Sequence, residues 1–167
     1  GKWKVASAES ARPFSAVSWY FGRLLMQELK VPVGLICTAV GGTPTEAWIP
    51  REALEADPKL RGMVAGNWLD NKRLGEFCRT RGRQNLLRAM QTGEAIPSDD
   101  LGPNHSFKPG FMWSAGIEPI IPYGIRGAIW YQGESNAETR SRSSEHGKLF
   151  PLLIKQWRLQ WGQGDFP

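Results

Sequence analysis

Cysteine is scarce in this chain. Cys37 and Cys78 are the only two in 167 residues, too few for a disulfide framework or a zinc knuckle. Histidine is just as rare. His105 and His146 stand far apart, and neither has a paired-ligand spacing with a cysteine, so no metal site is expected. Long hydrophobic runs are missing too. The longest, Gly34 to Val40, is broken by Thr38 and falls far short of the ~20 residues a membrane span needs. Neither a G-x-x-x-x-G-K-[ST] nor a G-x-G-x-x-G string occurs, which argues against a phosphate cradle. There is no internal repeat and no low-complexity tract. With 41% hydrophobic and 22% charged residues, the chain is neither a disordered tail, nor a collagen, nor a coiled coil.

Eight tryptophans, 19 glycines and 12 prolines stand out instead. That mix suits a loop-rich α/β protein with aromatic surfaces near a ligand. The net charge is +5, and the excess concentrates in Lys72, Arg73, Arg79, Arg81, Arg83 and Arg88, opposed nearby by Glu76. The cluster reads as a phosphate-binding face, as a solvated helix face or as attraction for an acidic substrate. Without an accompanying nucleic-acid motif the solvated face is preferred, and nucleic acid is not expected as a partner, nor, with no long apolar run, is a membrane. The chain opens at Gly1 and stops at Gly164-Asp165-Phe166-Pro167, which reads like the entry to another strand. The expectation is one partial domain over residues 1–167, an internal piece of a longer protein. Nothing in the sequence indicates an oligomeric state.

Apolar residues Ala16, Val17, Tyr20, Phe21, Leu24, Leu25 and Leu29 recur at three-and-four spacing and predict a helix over 15–30, with Pro13 and Ser15 as its start signal. Residues 33–40 predict a buried strand that runs into the turn Gly41-Gly42-Thr43-Pro44. A short helix is expected from Pro50 to Ala56 and a longer one over 71–91, weakened by Gly75 and Gly82. Residues 93–109 read as a functional or mobile loop. Ile125 to Tyr131 predicts a second central strand ending in Gln132-Gly133-Glu134-Ser135-Asn136. Residues 138–145 look polar and loose, and 146–161 form a last helix that Pro151 starts or kinks. The order points to an α/β layer fold with a parallel sheet, whose ligands sit outside the carboxyl ends of its strands.

Both predicted strands end in a glycine-containing loop, which makes these loops the first candidates for chemistry. The Gly41-Gly42 pair can aim backbone N–H groups at one point, as half of an oxyanion hole, or can serve only as a tight turn with positive φ. Gln132 and Asn136 carry side-chain amides, and Glu134 and Ser135 could serve acid–base or nucleophilic work. Gly133-Glu134-Ser135-Asn136-Ala137 approximates a nucleophile elbow, but the order of the later His146 and Asp165 is wrong for that arrangement. His105 lies in a plausible ligand-facing loop, Gly102-Pro103-Asn104-His105-Ser106. Trp48 and Trp113 lie beside predicted loops, where either could stack on a sugar or simply fill the core.

Several blocks, in order, resemble the sialate O-acetylesterase family. They are Phe14-Ser15-Ala16-Val17 with Tyr20-Phe21-Gly22, Val31-Pro32-Val33-Gly34-Leu35-Ile36, and Gly41-Gly42-Thr43-Pro44-Thr45-Glu46-Ala47-Trp48. Ile129-Trp130-Tyr131-Gln132-Gly133-Glu134-Ser135-Asn136-Ala137 follows, then Leu149-Phe150-Pro151, Trp157-Arg158 and Trp161 to Pro167. The resemblance implies an SGNH-type hydrolase with a flavodoxin-like three-layer α/β/α sandwich around a parallel sheet, incomplete in this chain. It implies removal of acetyl groups from sugar hydroxyls through a serine acyl-enzyme, with an acetylated carbohydrate as substrate and no cofactor. Gly41 and Gly42 would offer backbone N–H groups to the oxyanion and Gln132 a side-chain amide. Glu134 would brace its loop and, with Asn136, His105 and Trp48, line the sugar side. Export to the periplasm or outside the cell is also implied.

The family's nucleophile lies in a Gly-Gln-Ser-Asn-Met string, and its histidine in an Asp-x-His or Asp-x-x-His string. Neither occurs here. The expected reading is the middle of such an esterase, inactive alone, with neither His105 nor His146 replacing the missing base. The alternative is a non-catalytic carbohydrate-binding relative of the same fold.

Overall fold

The computed structural model describes residues 2–167 and divides the chain into two compact units, Gly1–Ala39 and Val40–Pro167. In the first unit, α1 (Ala8–Ala11) starts with a capping box in which the Ser7 and Ser10 side chains each accept the other's backbone N–H. Helix α2 (Ala16–Leu29) follows the predicted span. The Ser15 hydroxyl accepts the Ser18 N–H at its start, and Lys30 closes it in the left-handed region at φ 55°. Gly22 is the one buried position of α2, because Leu35 lies where a Cβ would reach within 2.7 Å. The apolar stripe of Val17, Tyr20, Phe21 and Leu24 is exposed.

The second unit is built on tryptophan. Trp48, Trp68, Trp113, Trp157 and Trp161 are buried together with Leu54, Met63, Leu149 and Leu153. A buried indole must place its N–H. Trp48 donates to the Thr43 hydroxyl (3.0 Å), Trp68 to the Pro103 carbonyl (2.9 Å), Trp157 to the Trp48 carbonyl (3.0 Å) and Trp161 to the Tyr123 carbonyl (3.0 Å). Three helices frame this core: α3 (Arg51–Ala56), α4 (Glu76–Gln91) and α5 (Arg140–Trp161). Gly75 offers no side chain to cap α4, and the Glu138 carboxylate does so from a distant loop by accepting the Phe77 N–H at 2.6 Å.

Helix α5 begins at Arg140, well before the expected 146. The Thr139 hydroxyl accepts the Arg142 N–H at 3.2 Å, so residues read as loose form the first turns. Pro151 lies inside α5 and leaves the carbonyl of Gly147, one turn back, without its helical donor. The 93–109 segment is also more ordered than its composition suggests. It holds a small antiparallel pair, β1 (Ser98–Asp99) and β2 (Gly102–Pro103), with Ser98 opposite Pro103 and Asp99 opposite Gly102. The buried Lys108 ammonium ties this loop down, reaching the Gly102 carbonyl (2.9 Å), Asn104 (2.9 Å) and Asp99 (2.6 Å).

The expected three-layer α/β/α sandwich with a parallel sheet is not what the structure shows. Among the described residues the only sheet is the two-stranded antiparallel pair. Neither 33–40 nor 125–131 forms a strand. Apolar composition there predicts burial between helices, yet Ile36, Ile129 and Tyr131 are exposed. A strand exists only through ladder bonds to a neighbour. The 125–131 segment makes one such contact, from the Ala128 N–H to the Pro167 carbonyl at 2.9 Å.

Gly82 shows why a weak helix former sits in the middle of α4. A Cβ there would lie 2.3 Å from the Trp68 ring, itself buried and pinned by its N–H. Gly82→Ala gains up to about 1 kcal/mol of helix propensity. It meets an overpacking penalty of about 1–3 kcal/mol. The expected outcome is net destabilisation, read as a lower denaturant midpoint; a raised midpoint would show that Trp68 can move aside.

Candidate functional site

The first glycine loop is a tight turn. The Thr43 N–H and hydroxyl both reach the Val40 carbonyl, at 3.3 and 2.9 Å. Gly42 has φ +79°, the value the third position of a type II turn requires, which favours glycine. The turn sits at the surface, with the Phe107 ring 3.2 Å from where a Gly42 Cβ would be. The chain then goes straight inward, and every residue from 43 to 50 is buried.

The second loop lies against the first although about 90 residues separate them. Gly133 has φ 156°, and a 3-10 turn over Glu134–Asn136 follows. The Ser135 hydroxyl donates to the Gly42 carbonyl at 2.8 Å, so its proton is spent on backbone. Gln132 donates one amide hydrogen to the Thr43 carbonyl (3.0 Å) and the other to the Asn136 side-chain oxygen (2.7 Å). Asn136 is fully buried. Its oxygen also accepts the Thr45 N–H (2.9 Å), and its NH2 donates to Glu46 (2.9 Å). The Thr45 hydroxyl lies 2.7 Å from the Gln132 carbonyl oxygen, 3.0 Å from the Asn136 oxygen and 3.1 Å from His146 Nδ1.

Beneath this network Glu46 and Arg142 form a buried ion pair at 2.5 Å. Burial works against the Arg142 charge. The Glu46 carboxylate overrides it and holds the guanidinium above its ordinary value. Arg142 also donates to the Arg73 carbonyl and to Glu145, both at 3.3 Å, while its Nε has no partner among the described residues. The pair joins the first turn of α5 to the 43–50 segment and so sets the floor of both loops.

Gly41, Gly42, Gln132 and Asn136 thus come together, and Glu134 stands exposed beside them. Trp48 does not face outward. It is 4% exposed, with its ring edge-on to Trp130 and its carbonyl accepting the Trp157 indole N–H. His105 stacks on Trp68 and meets Phe107 edge-on, and Phe107 in turn touches the Gly42 turn. A surface depression of about 640 Å3 lies along α4 and is lined by Glu76, Phe77, Thr80, Arg81, Gln84 and Glu138. Sequence reasoning missed Thr45, Glu46, Arg142 and His146 as members of the network. One signal was there: Arg142, His146, Leu149, Leu153 and Trp157 recur at three-and-four spacing, which extends the last helix toward its true start. Among the described residues no cluster of three or more His, Cys, Asp or Glu could hold a metal, and no helix is long and apolar enough to cross a membrane.

Burial holds the His105 imidazole below its ordinary value of 6.5, because the charged form loses water on folding. The unfolded chain therefore binds a proton where the folded chain does not. The His105 contribution is fully present above about pH 6.5 and is lost as pH falls below it. The melting temperature is expected to drop between pH 7 and pH 5.5, and to drop less in His105→Gln. An equal drop in both proteins would remove His105 as the cause.

The chain is similar to proteins named sialate O-acetylesterase. It is 32% identical to that of Rattus norvegicus over 164 residues, 34% to that of Mus musculus over 155, and 32% to that of Homo sapiens over 152. Each alignment covers 90% of this chain but only 26%, 26% and 22% of the relative, so the chain spans about a quarter of the length of the curated proteins it matches. No family model matches, and no solved structure does.

Proposed function

We propose that this chain supplies the oxyanion side of a carboxylic ester hydrolase that removes acetyl groups from sugar hydroxyls through a serine acyl-enzyme. The nucleophilic serine and its histidine base come from outside residues 1–167, and the substrate is an acetylated carbohydrate. The relatives' name supports the reaction class. The observation that carries the reading is the convergence of the two glycine loops, through the Ser135 bond to Gly42 and the Gln132 bond to Thr43.

Acyl transfer builds negative charge on the carbonyl oxygen, and fixed donors stabilise it. The exposed Gly41-Gly42 turn brings backbone N–H groups with no Cβ in the way. Gln132 adds a side-chain amide hydrogen, which at rest is given to the Asn136 oxygen. That oxygen also accepts the Thr45 N–H. It keeps this bond when the Gln132 N–H is shared with a developing oxyanion. The other N–H keeps hold of the Thr43 carbonyl. Glu134 edges the sugar side, His105 borders it through Phe107, and the buried Asn136 braces Gln132 from beneath. Trp48 acts from beneath, holding Thr43 through its indole N–H.

Hydrolysis of 4-nitrophenyl acetate tests the reading. The protein that carries these residues at full natural length is expected to turn it over, and residues 1–167 alone are not. Turnover by the isolated chain that Ser135→Ala abolishes would overturn it and make Ser135 a nucleophile.

A further inference from the structure

We propose that His146 is a positioning residue which, through Thr45, fixes the orientation of the Gln132 side-chain amide. The inference rests on the reading of Gln132 as an oxyanion donor, and it follows from counting protons. The Thr45 hydroxyl has one hydrogen and three neighbours that could take it: Gln132 Oε1 at 2.7 Å, Asn136 Oδ1 at 3.0 Å and His146 Nδ1 at 3.1 Å. The Asn136 oxygen already accepts two N–H groups, from Thr45 and Gln132, which uses both of its lone pairs. The shortest contact is to Gln132, whose oxygen has no other donor among the described residues. The hydroxyl hydrogen therefore goes to Gln132. His146 must then be the donor in its own contact with Thr45, which puts a proton on Nδ1.

The result is a directed chain, His146 Nδ1–H to Thr45 Oγ–H to Gln132 Oε1. It defines which end of the Gln132 amide is oxygen and which is nitrogen. Reversing the amide would set its NH2 against the Thr45 hydroxyl and its oxygen against the Thr43 carbonyl. Donation into Oε1 also polarises the amide and strengthens its N–H groups as donors. The His146 ring is itself held in place, half-buried and stacked on Phe150 at 5.8 Å with 23° between the planes. One turn of α5 separates His146 from the buried Arg142, so the helix that anchors the ion pair also aims the imidazole.

Nitrogen-15 NMR of the imidazole in the intact protein, at a pH where His146 is neutral, is expected to show the Nδ1–H tautomer. The Nε2–H tautomer would overturn the proposal whatever the activity data say. Kinetics on acetyl ester give a second arm. His146→Leu and Thr45→Val are each expected to lower kcat about tenfold with KM nearly unchanged, a part of the 10²–10³-fold loss from removing one oxyanion donor outright. The double variant should be no worse than Thr45→Val alone, because the two act in one chain. His146→Asn, whose NH2 stands near the Nδ1 position, should recover most of the loss. Multiplicative losses in the double variant, or no recovery with Asn, would overturn the proposal by showing His146 to act by packing or by another route. Wild-type kcat in Gln132→Ala would instead overturn the oxyanion reading, and the tautomer then tests the hydrogen-bond chain separately.

Discussion

Gln132→Ala is expected to lower kcat by about 10²–10³-fold, the usual range for deleting one oxyanion donor. KM should move little, since the bond strengthens chiefly in the transition state. Gln132→Glu should do at least as much damage. It sets an acceptor against developing negative charge and also turns a repelling oxygen toward the Thr43 carbonyl, now held at 3.0 Å. The substitution removes bonds to Thr43 and Asn136, so folding must be checked in the same samples. Asn136 keeps the Thr45 N–H, and Thr43 keeps its own bonds to Val40, so the fold should survive. A purely structural Gln132 would give the opposite pattern, a lowered melting temperature with near-normal kcat per folded molecule.

The largest effect on stability is expected at Glu46. Its carboxylate is fully buried against Arg142, whose side chain is also buried. Glu46→Ala leaves a guanidinium without its counter-charge in a dry site and removes the acceptor of the Asn136 NH2. Breaking one side of such a pair costs about 3–5 kcal/mol. For a chain of this size that corresponds to a fall in Tm on the order of 10 °C. The double variant Glu46→Leu with Arg142→Leu should recover part of the loss, because an apolar pair carries no desolvation penalty. Recovery should stop short of full, since Asn136 still lacks its partner. A Glu46→Ala protein that melts like the wild type would show that water reaches Arg142. It would also remove the ion pair as the floor of the site.

Helix boundaries were legible where local chemistry sets them. Ser15 caps α2, as read from the sequence, and α3 opens at Arg51, one residue after its expected start at Pro50. The two glycine loops were legible as places to look, because Gly42 and Gly133 mark backbone that other residues rarely adopt. The strands were not. Residues 33–40 and 125–131 have the composition of parallel strands, but composition cannot supply a neighbour, and pairing is a property of two segments. The start of α5 was hidden because Arg142 looks like solvent chemistry until Glu46, 96 residues away, is known to face it. The same holds for Thr45 and His146, which become a chain of donors only when Gln132 is brought between them and the loop.

The tie between residues 42–46 and 132–146 has a consequence for how the molecule comes into being. Nearly every bond of the site closes a loop of about 90 to 100 residues. The entropy of that closure grows only as the logarithm of loop length, about 0.6 kcal/mol per doubling, but it must be met before any of these bonds can form. Local pieces such as α2, α4 and the small hairpin lie ahead of it in time, because their contacts are short in sequence. The two glycine loops are thus joined late, when α5 docks and completes the core with Leu149, Leu153, Trp157 and Trp161. Nascent protein still lacking α5 has both glycine turns encoded and no site.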